Sequence, residues 1–146
     1  MLIKDLERSR EEVLRHFSLG ETELARTRAP GKWNVRFLLH HLADAELALA
    51  ERLRRIISEP GFVIWFWNQD LWAAAQDYST KPLAESKAVF ETLRNANIGL
   101  TRRHYERNGA MQWVHSQDGL RTLKDEFDKL AAHSEHHLVQ IRAALT

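Results

Sequence analysis

The sequence contains no cysteine among its 146 residues. Disulfide bonds, thiolate metal ligands and a cysteine nucleophile are therefore excluded. Any metal that side chains of this chain hold must be bound through nitrogen and oxygen atoms. Glycine-rich phosphate loops and a Gly-x-Ser-x-Gly nucleophile motif are also missing, so the sequence favours neither a nucleotide-binding fold nor a serine hydrolase.

An excess of either charge is lacking too, since 21 Lys and Arg residues stand against 20 Asp and Glu residues and are interspersed with them. This pattern gives no basic patch for nucleic acid or for a membrane surface. No apolar run approaches the roughly 20 residues of a membrane span. The N-terminus is charged from Lys4 onward, unlike a signal peptide. We therefore expect a cytoplasmic protein that binds neither nucleic acid nor membrane.

Four segments show the apolar spacing of long helices. The first covers residues 2–19. The second follows Asn34, its predicted N-cap, and ends at Pro60. The third runs from about Thr80 to Asn108, and the last follows Thr122, which pairs with Asp125 as a predicted helix cap. These boundaries predict an all-α protein.

The segments between these helices differ in composition. Residues 61–81 are rich in aromatic side chains, with a short helix expected within 68–77, whereas residues 109–121 are expected to form a loop. A chain of this length is typical of one domain, here residues 1–146. We predict a four-helix bundle with a long aromatic crossover between the second and third long helices.

Eight histidines are present, and two of them lie four residues apart in the last helix. His133 and His137 therefore share one helical face, which also carries Leu130 and Ile141. Two inward imidazoles at this spacing can chelate a divalent metal. The same spacing also occurs in helices that bind no metal, so a packing role for both histidines remains open.

His41 is the candidate for a third ligand, because it lies on the apolar stripe of the second helix. Its neighbour His40 is expected on the polar side of that helix with Asp44, as a surface or boundary residue. Three imidazoles with one open coordination position are typical of catalytic metal sites. They suit zinc, nickel, copper and iron.

Five blocks occur in an order that is more specific than any one of them. They are Pro30-Gly31-Lys32-Trp33-Asn34, the run His41 to Glu46, the run Phe66 to Trp72, the run His115 to Leu123, and His133-x-x-x-His137-x-x-Gln140-Ile141. On these blocks the sequence resembles the DinB/YfiT-like family of metal-dependent proteins, and within it the subgroup of bacillithiol transferase-like enzymes.

The resemblance implies a bundle with up-down-down-up topology and a metal site formed by His41, His133 and His137. It implies zinc or nickel as the metal and a homodimer as a frequent assembly. Some members of the family transfer low-molecular-weight thiols to electrophiles, so a thiol is an expected co-substrate and a small molecule the expected substrate.

The working hypothesis is a metal-dependent thiol S-transferase. A hydrolase that uses metal-bound hydroxide is the first alternative, with Glu46 as its base. A metal-binding bundle without turnover is the second, with His115 filling the fourth position. Glu46, Asp44 and His115 are the candidate catalytic residues.

The aromatic crossover supplies candidates for the pocket mouth. Asn68, Asp70 and Trp72 are expected to line it, although helix capping and core packing in the crossover explain the same residues equally well.

Overall fold

The computed structural model describes residues 1–146. The long helices are α1 (Leu2–His16), α3 (Val35–Ser58), α5 (Leu83–Asn108) and α6 (Leu123–Leu145). Two short helices and three short strands complete the chain: α2 (Glu21–Leu24), α4 (Gln69–Ala75), β1 (Val63–Ile64), β2 (Gln112–His115) and β3 (Gly119–Thr122). The predicted four-helix bundle is confirmed. None of the helices combines the length and the apolar character that crossing a membrane requires.

The predicted helix caps are present. The Asn34 side chain accepts a hydrogen bond from the Phe37 N–H at the start of α3. Thr122 and Asp125 form a reciprocal capping box at the start of α6, which satisfies N–H groups that have no partner within the helix. The first helix is shorter than the predicted 2–19. It ends at His16, where the N–H groups of Ser18 and Leu19 bond three residues back and tighten the last turn.

Contacts between the long helices give their directions. His40 and Glu46 on α3 meet Ser86 and Arg94 on α5 in the same order, so these two helices are parallel. On α6 the order is reversed: His133 contacts His41 near the start of α3, whereas Glu126, earlier on α6, contacts Arg52 later on α3. The bundle is up-down-down-up, as predicted. The crossover between the parallel helices α3 and α5 must therefore return along the bundle.

The core has two apolar clusters with a polar layer between them. One cluster contains Val13, Leu39, Phe90 and Leu138, and the other contains Leu6, Leu53, Ile98 and Phe127. The polar layer consists of Ser9, Glu46, Arg94 and Ser134, one residue from each long helix. On each long helix, the polar-layer residue lies between the residues that belong to one cluster and the residues that belong to the other.

Arg94 is the centre of the polar layer. Its guanidinium donates to both carboxylate oxygens of Glu46, at 3.0 and 2.7 Å, and to the hydroxyls of Ser9 and Ser134, at 2.9 and 2.6 Å. Asn97 donates a further hydrogen bond to Glu46 at 2.9 Å. The side chains of Arg94 and Glu46 are 1% and 2% exposed. Such a buried ion pair is tolerated because its donors and acceptors are satisfied.

The segment 109–121 is not the loop that its sequence predicts. Residues Gln112–His115 and Gly119–Thr122 form an antiparallel hairpin, and Val63–Ile64 from the crossover pairs in parallel with the first strand. Trp113 and His115 point inward along β2. Four residues are too few for a period of two to stand out in the sequence. Pairing with Val63–Ile64, which lie about 50 residues earlier in the chain, gives β2 a second partner strand.

The sequence predicts a polar side at the start of α3, and this prediction is wrong. His40 is fully buried, and its Nδ1 lies 2.7 Å from the Ser86 hydroxyl. Asp44 is buried as well and accepts a hydrogen bond from the Tyr78 hydroxyl at 2.5 Å. Since α3 packs against both α5 and the crossover, this face has no access to solvent.

We predict that Arg94→Met lowers the free energy of unfolding by about 3–5 kcal/mol, because it leaves the Glu46 carboxylate buried without its ion-pair partner. Urea denaturation of both proteins measures the difference. Arg102→Met is the matched control, because its partner Glu7 is exposed and the pair is worth at most about 1 kcal/mol. Equal losses in the two variants would contradict a special role for the buried pair.

Candidate metal centre

Three histidines converge between α3 and α6. The Nε2 atom of His133 lies 3.0 Å from Nε2 of His41 and 3.2 Å from Nε2 of His137. One nitrogen from each of the three rings lies within 4.8 Å of the others. The histidines that the sequence singles out are thus brought together by the fold.

Helical geometry explains this convergence. His133 and His137 occupy successive turns of α6 and therefore project from one face. The antiparallel packing of α3 on α6 places His41 opposite that face. The Arg94 layer fixes the same register, because Glu46 follows His41 by five residues on α3 and Ser134 follows His133 directly on α6.

All three rings are neutral at pH 7. Burial, followed by the nearby His137 and His136, lowers the pKa of His41 to about 3. Burial, followed by His137 and His41, lowers the pKa of His133 to about 2. Burial also lowers the pKa of His137, against the opposing effect of its hydrogen bond to Gln140. Neutral imidazoles are the form that binds metals, so no proton has to be displaced.

Gln140 fixes the proton position on His137. Its side-chain oxygen lies 2.9 Å from Nδ1 of His137, and its amide nitrogen lies 2.9 Å from Nε2 of the exposed His136. The amide oxygen accepts only if Nδ1 of His137 carries the proton. The lone pair of His137 is therefore on Nε2, the atom that points at the other two rings.

The donor set fits a divalent cation. Tetrahedral zinc–nitrogen bonds of about 2.0–2.1 Å separate two ligand nitrogens by about 3.3 Å, close to the 3.0 and 3.2 Å that separate Nε2 of His133 from Nε2 of His41 and of His137. Without a cation, a hydrogen bond between two of these nitrogens needs a proton on one of them. Nε2 of His133 carries at most one proton, and Nε2 of His137 carries none. At least one of the two close nitrogen pairs therefore has no hydrogen bond. A cation among the three lone pairs removes this conflict.

Two tryptophans enclose the His41 ring. Trp67 from the crossover stacks on it, with 5.5 Å between ring centroids and 16° between planes. Trp33 meets it edge-on at 5.3 Å. Nδ1 of His41 is buried without a hydrogen-bond partner. The two indoles keep water from this side of the cluster and hold the ring in position.

A cavity of about 410 Å³ opens beside the cluster. His133 and His137 line it. Its other polar lining residues are Arg28, Lys32, Gln69, Asp70, His136 and Gln140, and Trp33 contributes an aromatic wall. A ligand in this cavity would contact two of the three clustered histidines directly.

The candidate catalytic carboxylates on α3, Glu46 and Asp44, form hydrogen bonds with residues outside the histidine cluster. Glu46 lies in the Arg94 layer with both of its oxygens bonded. Asp44 is held by the Tyr78 hydroxyl. Neither lines the cavity. These contacts favour structural roles for both residues, and neither is a hydrogen-bond partner of the clustered histidines.

His115, the third catalytic candidate, lies apart from the histidine cluster. It is buried at the end of β2, where its Nδ1 accepts from the N–H groups of Gln117 and Asp118. It lines a smaller cavity of about 190 Å³ together with Trp67. Its contacts stabilise the hairpin turn.

The crossover candidates divide between the two expected roles. Asp70 lines the cavity beside the cluster. Asn68 is the N-cap of α4 and accepts from the N–H groups of Asp70 and Leu71. Trp72 packs edge-on against Trp67 at 4.9 Å and lines a separate apolar groove.

Periodicity and motif spacing predict no individual role for several other residues of the site. Gln140 follows His137 by three residues, a helical spacing that predicts contact between the two side chains. Arg28 and Lys32 flank the Pro-Gly pair that starts a conspicuous block. Trp67 gives no such signal, because the path of an irregular crossover is not encoded in periodicity.

The fold and the site together define a class: four-helix bundles that hold a cluster of three histidines between two of their helices. The sequence profile of the DinB superfamily matches residues 5–141. The chain belongs to the DinB superfamily.

Curated relatives carry related names. A protein of Oceanobacillus iheyensis, named a putative metal-dependent hydrolase, is 31% identical over 129 residues, which cover 88% of this chain and 74% of the relative. A protein of Halalkalibacterium halodurans with the same description is 27% identical over 128 residues, again 88% of this chain and 74% of the relative.

A solved structure shares the fold. YfiT from Bacillus subtilis, described as a probable metal-dependent hydrolase with an unusual four-helix bundle topology, superposes with a TM-score of 0.86. The match covers 97% of this chain and 82% of YfiT at 22% sequence identity. At this level of identity the similarity establishes the architecture.

We predict that the protein, purified without an affinity tag, contains about one divalent metal ion per chain and that His133→Gln abolishes this content. Elemental analysis by mass spectrometry measures both. His104→Gln, on α5 and outside the cluster, is the matched control and should retain the metal. Absence of metal from the wild-type protein, even after incubation with zinc or nickel, would restrict the three histidines to packing.

We also predict that the metal-free protein loses stability as the pH falls from about 7 to about 4. Unfolded histidines titrate near pH 6.5, whereas the pKa values of the buried His41 and His133 are lower. Below 6.5 the unfolded state therefore binds more protons, and the folded state is disfavoured.

Urea denaturation of the metal-free protein across this range tests the sign. The variant in which His41, His133 and His137 are all replaced by Gln should lose less stability over the same range. An equally steep loss in that variant would assign the pH dependence to other groups.

Proposed function

We propose that this chain is a metal-dependent enzyme in which His41, His133 and His137 hold one divalent cation, zinc or nickel. The observation that carries the proposal is the convergence of three neutral Nε2 atoms beside a cavity large enough for a small molecule. Three protein ligands leave one coordination position for an incoming molecule, as in catalytic sites. His115, the residue expected to fill that position in a bundle without turnover, lies outside the cluster.

The first proposed reaction is the transfer of a low-molecular-weight thiol to a small electrophile. A bound divalent cation would lower the pKa of a thiol or of a water molecule at its open position. In the transfer, a bond forms between the thiol sulfur and an electrophilic carbon, the leaving group departs with its electron pair, and the thiol proton passes to solvent. The chain has no cysteine, so the sulfur nucleophile would come from an external thiol.

The hydrogen bonds of the carboxylates on α3 support thiol transfer over attack by water. Attack by water benefits from a general base beside the reacting atoms. Glu46 and Asp44, the acids nearest to His41 in the sequence of α3, are bonded to Arg94 and Tyr78. A sulfur nucleophile needs less help, because a thiol is far more acidic than water.

Other residues of the site position and shield the ligands. Gln140 holds His137 in the tautomer that directs its Nε2 lone pair into the cluster. Trp33 and Trp67 pack against the His41 ring and exclude water from its buried side. The protein would thus supply three donor atoms that are already in place, and a small molecule would reach them from the cavity.

A second candidate reaction is hydrolysis, and two observations favour it. Asp70 lines the cavity and is the one carboxylate placed there to act as a base. Relatives of this chain carry the name putative metal-dependent hydrolase. In this alternative a water molecule is the nucleophile, and Asp70 accepts its proton.

One pair of assays separates the two reactions. The zinc-loaded and nickel-loaded proteins are mixed with chlorodinitrobenzene and a panel of cellular thiols, and formation of the aryl thioether is followed by absorbance. The same proteins are mixed with nitrophenyl acetate without thiol. We expect thioether formation to accelerate only with metal and to return to the background rate in His133→Gln.

Acceleration of ester hydrolysis without thiol, lost in Asp70→Asn but retained in Asp5→Asn, would establish the hydrolase instead. Asp5 is the matched control because it lies on α1 and does not line the cavity. Metal binding without acceleration of either reaction, with any thiol of the panel, would overturn both proposed activities.

A further inference from the structure

We propose that the cavity beside the histidine cluster selects small molecules that carry an anionic oxygen group, a carboxylate or a phosphate, and that Arg28 and Lys32 bind this group. The inference rests on the proposed function, because it names the class of substrate or co-substrate for the same site. The three observations that support it are a rigid turn, two cations without partners, and the position of the turn at the cavity.

The turn between α2 and α3 is built to hold one shape. The N–H of Lys32 donates to the carbonyl oxygen of Ala29 at 3.2 Å, and Gly31 has a φ of 72°. Pro30 followed by a glycine with positive φ is the signature of a type II turn. Arg28 directly precedes this turn and Lys32 is its last residue, so the geometry of the turn sets where both side chains begin.

Further hydrogen bonds fix the turn to the bundle. Thr27 and Asn34 form an isolated antiparallel bridge across its base. The N–H of Val35, the first residue of α3, donates to the carbonyl oxygen of Arg26 at 3.0 Å. The Thr27 hydroxyl donates to the carbonyl oxygen of Ala29 at 2.8 Å. Recognition groups on such a rigid element lose less conformational entropy on binding.

The charges on this turn have no partners within the protein. Arg28 and Lys32 take part in none of the ion pairs of the structure, which engage Arg10, Arg36, Arg52, Arg55, Arg94, Arg102 and Arg142 among others. Asp70 is the one acidic residue that lines the cavity. Two permanent cations against one carboxylate give the cavity a positive potential, which attracts anions.

The chemistry of these two side chains matches an oxyanion. A guanidinium can donate two parallel hydrogen bonds to a carboxylate or a phosphate, and an ammonium adds a point charge. His133 and His137 line the same cavity as the turn. A small molecule can therefore place its anionic group at the turn and its reactive atom at the histidine cluster.

The test titrates succinate and inorganic phosphate into the metal-free protein and into the zinc-loaded protein. Binding is followed by the indole NMR signal of Trp33, which lines the cavity and is assigned with Trp33→Phe. Succinamide, similar in shape to succinate but uncharged, is the ligand control. The test variant is Arg28→Gln/Lys32→Gln. The matched control is Lys4→Gln/Arg107→Gln, which removes the same charge from exposed positions on α1 and α5.

We expect saturable binding of at least one of the two anions, weakened about tenfold or more in Arg28→Gln/Lys32→Gln and unchanged in the control variant. Succinamide should not bind. Addition of salt should weaken binding to the wild-type protein, because both cations are exposed. The anion that binds more tightly identifies the oxygen group as carboxylate or phosphate.

The inference is overturned if neither anion binds either form of the protein, if succinamide binds as tightly as succinate, or if the two double variants behave alike. These outcomes are separate from the fate of the proposed function. If the protein takes up no metal but binds anions through Arg28 and Lys32, the proposed anion site stands and the proposed metal-dependent enzyme is wrong. Metal binding with unchanged anion affinity in the test variant would mean the reverse.

Discussion

The guanidinium of Arg94 joins all four long helices at one point. It extends from α5 and donates hydrogen bonds to Ser9 on α1, Glu46 on α3 and Ser134 on α6. A buried ion pair adds little net stability compared with an apolar contact, but it is costly to leave incomplete. Any sliding of one helix against the others would break part of this network. The layer therefore specifies the register of the bundle more than it strengthens it.

That register determines the geometry of the histidine cluster. Glu46 follows His41 by five positions, about 7.5 Å along α3, and Ser134 directly follows His133 on α6. The cluster thus lies little more than one helical turn from the polar layer. The distance of 3.0 Å between Nε2 of His41 on α3 and Nε2 of His133 on α6 depends on how closely these two helices are positioned. A nearby set of directional hydrogen bonds, together with the close packing of the core, holds the two helices at this spacing.

Periodicity could predict those parts of the molecule that are regular helices with one buried face. It identified the four long helices, the caps at Asn34 and Thr122, and the three histidines that the fold brings together. It fails at the start of α3, where it predicts His40 and Asp44 on a polar side, because a helix segment that is covered on several sides buries its polar residues too. It also missed the hairpin of β2 and β3, which depends on pairing with Val63 and Ile64 from far along the chain. The partner of Glu46 lies on another helix, and only the folded structure reveals it.

A donor set made only of imidazoles has a consequence for the chemical durability of the protein. Thiolate ligands are lost when oxidants convert cysteine to sulfenic or higher acids, and free thiols are the first protein groups that electrophiles alkylate. This chain has no such group anywhere, and its proposed ligands are three buried, neutral rings. Oxidation of thiols, the route by which thiolate ligands are lost, therefore has no target among these ligands. A reactive electrophile entering the cavity would find no thiol of the protein to alkylate, so the sulfur chemistry at this site would be that of the external thiol alone.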